Sequence, residues 1–175
     1  MEQPQSGFSY KIMSLMFKAR DAVKPRGDIL KEVGINTGDK VLDFGCGPGG
    51  YVPALSKMVG ISGKVYALDM NPLAINSVKE MASRKKLVNV TTILSEGPTG
   101  LKEGSVDTVL LYDILHHLKN PGPVLRELHR VLKPGRVLSV SDHHMQEMDI
   151  TSRITGTGLF QTGPRAKTLN FTRVN

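Results

Sequence analysis

Apolar positions along the chain fall into two alternating kinds of stretch. Short runs rich in β-branched residues, KVLDF (40–44), KVYALD (64–69), VTTIL (90–94), VDTVLLY (106–112) and RVLSVSD (136–142), read as buried strands. Between most of them, apolar residues recur at helical spacing. Tyr51–Val59 is one such segment. Pro72–Lys86 is a second, with Ala74, Val78, Met81 and Ala82 on one face and Pro72 suited to a helix start. Pro123–Leu132 is a third, with Val124, Leu125, Leu128, Val131 and Leu132 in phase and Lys133-Pro134-Gly135 as its stop. Residues 95–105 are too few and too rich in Gly and Pro for a long helix, so that crossover is expected to be a loop.

Strand–helix alternation of this kind predicts an α/β fold, a doubly wound parallel sheet with helices on both faces. Ahead of it, Phe8, Ile12, Leu15, Met16, Ala19 and Val23 trace an amphipathic helix, followed by a shorter one over about residues 25–33. At the far end, LFQT (159–162) and KTLNFTRV (167–174), split by Gly163-Pro164-Arg165-Ala166, predict an antiparallel hairpin. The expectation is one domain over 1–175, with a helical cover (1–35), a ligand-binding core (38–142) and an acceptor-side helix with the terminal hairpin (143–175). The count is five parallel strands plus two.

Composition narrows the class. The 175 residues, 39% of them hydrophobic, suffice for one core. No apolar run approaches the ~18 residues that cross a bilayer, and the first residues lack the apolar centre of a signal peptide. A cytoplasmic location is expected. The single cysteine excludes an internal disulfide. The net charge of +7 comes from scattered basic residues, and aromatics are 5% with no Trp. A nucleic-acid partner is therefore not expected.

The first predicted strand runs into Gly45-Cys46-Gly47-Pro48-Gly49-Gly50, a turn through which a ligand can approach the backbone closely. Gly45-x-Gly47-x-x-Gly50, with Asp69 at the end of the second strand, has the spacing of a dinucleotide fingerprint. Asp43 argues otherwise. A carboxylate just below the loop repels a pyrophosphate and suits a ligand with a positive end. A carboxylate at Asp69 can accept hydrogen bonds from ribose hydroxyls; capping the helix that begins at Pro72 is the competing role.

VLDFGCGPGGY, VYALDM, ILSEG, VDTVLLYDILHHL and ELHRVLKPGRVLSVSD stand in order and spacing that resemble the class I S-adenosylmethionine-dependent methyltransferases. The likeness is to the small-molecule group that includes ubiquinone/menaquinone biosynthesis and arsenite methyltransferases, and it covers about residues 38–142. It implies a Rossmann-like seven-stranded sheet, mostly parallel, with an antiparallel C-terminal hairpin. It implies S-adenosyl-L-methionine as methyl donor and no metal. By resemblance, Gly45, Cys46 and Gly47 pass under the methionine part and Asp43 organises that end. Asp69 holds the ribose, Met70 packs on the adenine, and Glu96 and Gly97 meet the adenine edge. The family commonly has Gly-Asp-Ala there, so Glu96 departs from it by one methylene. Tyr112 and Asp113 line the methionine side near the reactive methyl.

Two histidine pairs need separate readings. His116 and His117 are adjacent, so on a helix they point about 100° apart and do not chelate; no Cys or acidic cluster adjoins them in sequence, and a packing role is expected. Asp142-His143-His144 leaves the fifth strand at the carboxyl edge, where a methyl acceptor belongs. Asp142 is suited to orienting one of these two histidines or to binding a substrate ammonium. His143 and His144 are the candidate bases, if the acceptor must lose a proton.

The expected reaction is in-line methyl transfer to a small-molecule acceptor. The [DNS]PP[YF] signature of adenine- and glutamine-directed enzymes is absent, and YDIL stands in its place. The rivals are an NAD(P)-binding Rossmann oxidoreductase, a non-catalytic S-adenosylmethionine-binding protein and an RNA methyltransferase.

Overall fold

The computed structural model describes residues 27–164 and 166–174. A short helix α1 (Gly27–Lys31) precedes strand β1 (Lys40–Phe44), helix α2 (Val52–Val59), β2 (Lys64–Asp69), α3 (Pro72–Arg84) and β3 (Val90–Leu94). A stretch without helix leads to β4 (Val106–Tyr112). A 3-10 turn (Leu115–His117), α4 (Gly122–Val131), β5 (Leu132–Ser141), α5 (Glu147–Thr155), β6 (Phe160–Thr162) and β7 (Leu169–Arg173) complete the described chain. The amphipathic pattern over residues 8–23 lies outside the described residues.

The seven strands form one sheet in the order β3-β2-β1-β4-β5-β7-β6. β1 to β5 pair in parallel, and β7 pairs antiparallel to both β5 and β6. Both faces are covered, and residue alternation decides which side chain goes where. In β4, Val109 and Leu111 face a layer with Leu125 and Leu128 of α4, Ile150 of α5 and Phe160. Leu110 and Tyr112, the residues between, face Val52 and Leu55 of α2 and Val78 of α3. This explains why β4 reads as a continuous apolar run: all seven of its residues are buried.

Local chemistry sets the element ends. Asn71 caps α3 through its side-chain oxygen, which accepts from the Leu73 N–H at 2.9 Å, with Pro72 at the first helical position. α3 stops at Arg84, two residues before the sequence pattern does, because Lys86 takes a left-handed backbone (φ 53°). α4 ends at Val131, and β5 starts at once with Leu132 paired to Val106. Lys133-Pro134-Gly135 is thus an irregular start of the strand rather than a separate turn, with a register shift between Val106 and Thr108 on the partner strand.

Successive strands run outward one way from β1 to β3, and the other way from β4 to β5. The order reverses between β1 and β4, and the carboxyl ends of strands at such a reversal are where an open α/β sheet binds ligands. The opposite, amino edge is held by ion pairs. Asp107 accepts from Lys133 at 2.7 Å and from the Lys40 N–H at 3.0 Å, with Arg136 at 3.0 Å. The chemistry-bearing loops all lie at the carboxyl edge.

Candidate functional site

The glycine loop leaves β1 where the strand order reverses. Gly45 has a left-handed backbone (φ 77°), and a Cβ there would overlap the side chain of Ile114, which follows β4. The loop from β1 and the turn after β4 therefore touch through a missing side chain. Gly47 is also left-handed (φ 51°), but a Cβ on it would meet nothing within 4 Å, so its backbone faces open space. The third left-handed glycine is Gly49 rather than Gly50, and α2 begins two residues after Gly50.

Asp69 ties the loop to the next strand. Its Oδ2 accepts the Gly47 N–H at 2.8 Å and its Oδ1 accepts the Asn71 N–H at 2.8 Å. Each carboxylate oxygen can accept a second hydrogen bond. Burial raises the carboxyl above its ordinary value, against the N–H groups of Asn71, Gly47 and Met70, which favour the anion. The Gly45 and Cys46 N–H groups both go to the Leu68 carbonyl, at 2.8 and 2.9 Å, so the loop's own donors are fixed from the β2 side.

Below the loop, Asp43 is 2% exposed. The Cys46 thiol is buried, and burial, with the nearby charges of Asp43 and Asp69, pushes its pKa far up. It is not a nucleophile in this state. The Tyr112 ring meets that of Tyr51 edge-on at 5.1 Å, and its hydroxyl lies 2.9 Å from Ser139 Oγ. Ser139 continues to Thr168 Oγ1 at 2.8 Å. Burial raises the Tyr112 pKa, so its hydroxyl stays protonated within this chain.

On the β2–β3 side, Met70 is 54% exposed, and Leu73 and Leu94 are also exposed. β2 and β3 are paired Asp69 to Leu94, so Leu94 lies beside Asp69 across the sheet. Glu96 and Gly97 sit on a tight turn in which Ser95 Oγ donates to the Pro98 carbonyl at 2.6 Å and accepts the Gly97 N–H at 3.2 Å. The two residues border a cavity of about 430 Å³, whose far wall is Pro123, Val124 and Arg126 of α4. Glu96 itself is exposed.

At the ends of β4 and β5 the side chains cross. The strands are in register at Tyr112 and Ser141, which brings Asp113 beside Asp142. Asp113, held at φ 56°, accepts both the backbone N–H (3.0 Å) and Nδ1 (2.7 Å) of His143 with its Oδ1. Asp142 accepts the backbone N–H of His116 at 3.1 Å and that of His144 at 3.0 Å. His116 Nδ1 lies 2.9 and 2.8 Å from the two Asp142 oxygens. Burial opposes ionisation of Asp142, yet these donors hold its carboxyl below the ordinary range. The His116 ring also packs on those of His117 (3.9 Å between centroids) and His144 (4.5 Å).

Asp142, expected from the sequence to orient His143 or His144, accepts the backbone N–H of His144 and also holds the His116 ring, a partner the sequence reading did not name. Among the described residues, no group of three or more His, Cys, Asp or Glu is arranged to hold a metal ion, and no helix is long and apolar enough to cross a membrane.

Comparison with known proteins agrees with this geometry. The profile described as a methyltransferase domain matches residues 35–161. A demethylmenaquinone methyltransferase of Geobacillus stearothermophilus is 30% identical over 129 residues, covering 73% of this chain and 55% of that protein. This chain spans about half the length of the curated relatives it matches. A crystal structure of a SAM-dependent methyltransferase from Aquifex aeolicus superposes with a TM-score of 0.80 at 31% identity, covering 92% of this chain and 94% of that one. An arsenic(III) S-adenosylmethionine methyltransferase from Chlamydomonas reinhardtii gives 0.57 at 29% identity, over 72% of this chain and 48% of that one. The sheet order, the clamped glycine loop and these likenesses agree: the chain belongs to the family of S-adenosylmethionine-dependent methyltransferase domains.

Proposed function

We propose that this protein transfers a methyl group from S-adenosyl-L-methionine to a small-molecule acceptor. The observation that carries the reading is the Asp69 clamp beside an open Gly47 backbone. A half-buried carboxylate with spare acceptor sites stands next to Gly47, whose Cβ position is open among the described residues. That arrangement fits a ribose diol and the chain that extends from it. Met70, Leu73 and Leu94 offer an apolar bed for a flat base, with Glu96 and Gly97 at its edge. Asp43, under the loop, supplies negative charge toward the positive end of the donor.

When bound, the donor supplies a methyl group on a positively charged sulfur, already activated for attack. The chain's own task is alignment, which can contribute roughly 7–11 kcal/mol. Gly45, Cys46 and Gly47 form the floor, and Asp69 fixes the ribose. Asp113, His143 and His144 border the acceptor side. No step requires the Cys46 thiol. Demethylmenaquinone, named in the relatives, is the first acceptor to assay.

The dinucleotide rival predicts a different ligand. Titration calorimetry with S-adenosylhomocysteine and with NADH separates the two. Micromolar binding of the first and none of the second is expected; the reverse result sinks the methyltransferase reading.

A further inference from the structure

We propose that the amino edge of the sheet, where β2 and β3 begin, is a surface that docks the protein onto an anionic lipid bilayer. The inference is independent of the methyl-transfer reading, because it concerns the edge opposite the candidate site.

Two turns build the surface. α2 ends at Val59 and β2 begins at Lys64, while α3 ends at Arg84 and β3 begins at Val90. The two turns are tied together by Asn89, which is 7% exposed. Its Nδ2 donates to the carbonyls of Ser56 and Gly60 at 2.9 and 2.7 Å, and its own backbone carbonyl accepts the Val65 N–H at 2.9 Å. A buried amide satisfied in this way holds the turns as one unit.

That unit presents aliphatic side chains to water. Ile61, next to Gly60, is 92% exposed, and Val88, next to Asn89, is 80% exposed. The core does not need either of them. Val59 is fully buried in the first turn, and Leu87 packs against the same core layer from the second. Each turn therefore directs one apolar residue inward and another outward. Single exposed aliphatic residues are ordinary on a protein surface. Two on one rigid unit, within a field of one sign, form a site.

The charge around them is positive. Residues 57–64 and 79–88 carry Lys57, Lys64, Lys79, Arg84, Lys85 and Lys86 against one acid, Glu80. None of the six cations has an ion-pair partner among the described residues. Asp39 and Asp107, at the amino ends of the neighbouring strands, are buried and taken up by Arg136 and Lys133. The left-handed backbone at Lys86 (φ 53°) closes α3 tightly, so that Arg84, Lys85 and Lys86 are all exposed just ahead of Val88. Cations that are dispersed along the sequence are gathered here because β2 and β3 are neighbours in the sheet.

This chemistry selects the occupant. Each Lys or Arg brought to an anionic bilayer strengthens binding about five-fold. Aliphatic tips enter the boundary between headgroups and acyl chains, and the long basic side chains leave their charges at its surface. A single-stranded nucleic acid calls for aromatic residues to stack its bases, and residues 57–64 and 79–88 contain none. A second copy of the chain would bring the same charge and be repelled.

The docked orientation follows from the sheet. β2 is six residues long, so its amino end lies about 20 Å from its carboxyl end, where Asp69 stands. Docking through Ile61 and Val88 leaves the carboxyl edge facing water.

Flotation of the full chain tests the proposal, using phosphatidylcholine vesicles with and without about one third phosphatidylglycerol, at ~0.1 M salt. The wild type should float with the mixed vesicles, not with phosphatidylcholine alone, and should be released at about 0.5 M salt. Lys85→Ala/Lys86→Ala should weaken binding about 20-fold or more, and Lys102→Ala/Lys119→Ala, the same charge loss elsewhere, should stay within about 2-fold. Ile61→Ser/Val88→Ser, which alters exposed side chains only, should keep the wild-type melting temperature and weaken binding about 5-fold or more. No flotation by the wild type would overturn the proposal. So would wild-type flotation of Ile61→Ser/Val88→Ser, or an equal loss in the two lysine variants. Orientation is read by nitroxide labels, for which the buried Cys46 does not compete. On vesicles a label at Ile61→Cys should be shielded from a water-soluble relaxation agent, and one at Met148→Cys, at the start of α5, should not; the reverse would overturn the proposal. Single-stranded RNA bound more tightly than the mixed vesicles at equal salt would assign the patch to nucleic acid instead. A dimer in vesicle-free solution that Ile61→Ser/Val88→Ser dissociates would assign it to a second copy, and either result overturns the lipid assignment. Flotation is measured without the methyl donor, so failure of the methyltransferase reading would leave this result standing.

Discussion

Replacing Asp69 with Ala separates the two roles its carboxylate can play. The side chain already accepts the N–H groups of Gly47 and Asn71, each at 2.8 Å. Both bonds are to an anion, and bonds of that type contribute about 1.5–3 kcal/mol each. Part of the expected damage is therefore to the loop, before any ligand is present. If the same carboxylate also binds the ribose, removing one such bond should weaken cofactor binding by about 1.5–3 kcal/mol, a roughly 10- to 150-fold rise in Kd. A single affinity does not distinguish a missing ribose contact from a loosened loop. A cycle does. S-adenosylhomocysteine and its 2′-deoxy analogue are titrated by calorimetry into wild type and Asp69→Ala. In the wild type, deletion of the hydroxyl should cost about 1–2 kcal/mol. In Asp69→Ala the two ligands should bind alike, because the partner of that hydroxyl is gone. Equal cost of the deoxy substitution in both proteins would refute the ribose assignment and leave Asp69 as a loop clamp. Equal affinity of wild type and variant would refute both roles.

Three further outcomes follow from the same structure. Gly45→Ala places a methyl group into the Ile114 side chain at a left-handed backbone position, so urea denaturation should show a loss of about 1–3 kcal/mol; an unchanged midpoint would mean that the two turns are not packed as described. Cys46, buried and pushed far from ionisation, should resist iodoacetamide in the native state and react once unfolded, and mass spectrometry of native protein showing rapid alkylation would contradict its burial. Arg130 and Thr99 hold the Glu127 carboxyl at about 2, against an ordinary 4.5. A depressed carboxylate stabilises the fold above its unfolded value and loses that contribution as pH falls from 4.5 toward about 2. The contribution is about 1–2 kcal/mol once solvent screening at this helix face is counted. Glu127→Gln should flatten acid denaturation over that interval, and an identical acid profile would refute the coupling.

Much of the fold was legible because it rests on short-range pattern. The five central strands carry continuous apolar runs because both faces are covered, and β4 shows the limiting case with no exposed position. The helices over α2, α3 and α4 follow from apolar spacing and from Asn71-Pro72, whose capping geometry is written in the sequence. The ends were less legible. Nothing local announces that β5 begins at Leu132, before a proline and a glycine; the pairing of Leu132 with Val106 across the sheet decides it. Nor does the pattern distinguish Gly49 from Gly50 as the left-handed residue. That choice comes from contact with Val78 and Met81 of α3, which leave no room for a Cβ on Gly49.

The site divides along the same line. Asp43, the glycine loop and Asp69 lie at the ends of consecutive strands, so their proximity can be deduced from a parallel sheet alone. The crossed pairs Asp113–His143 and His116–Asp142 require a further step. Each residue looks local in sequence, with Asp113 three residues before His116, and Asp142 adjacent to His143. Local pairing would join Asp113 to His116 and Asp142 to His143 or His144. The structure instead exchanges partners between the two loops, because β4 and β5 are neighbours in register at Tyr112 and Ser141. Side chains just beyond that register point lie closer across the gap than along either turn. The strand order could have suggested this, since two chemistry-bearing loops that follow adjacent parallel strands must emerge side by side. The ring of His116 is placed in this way. Its geometry is supplied by an aspartate 26 residues away.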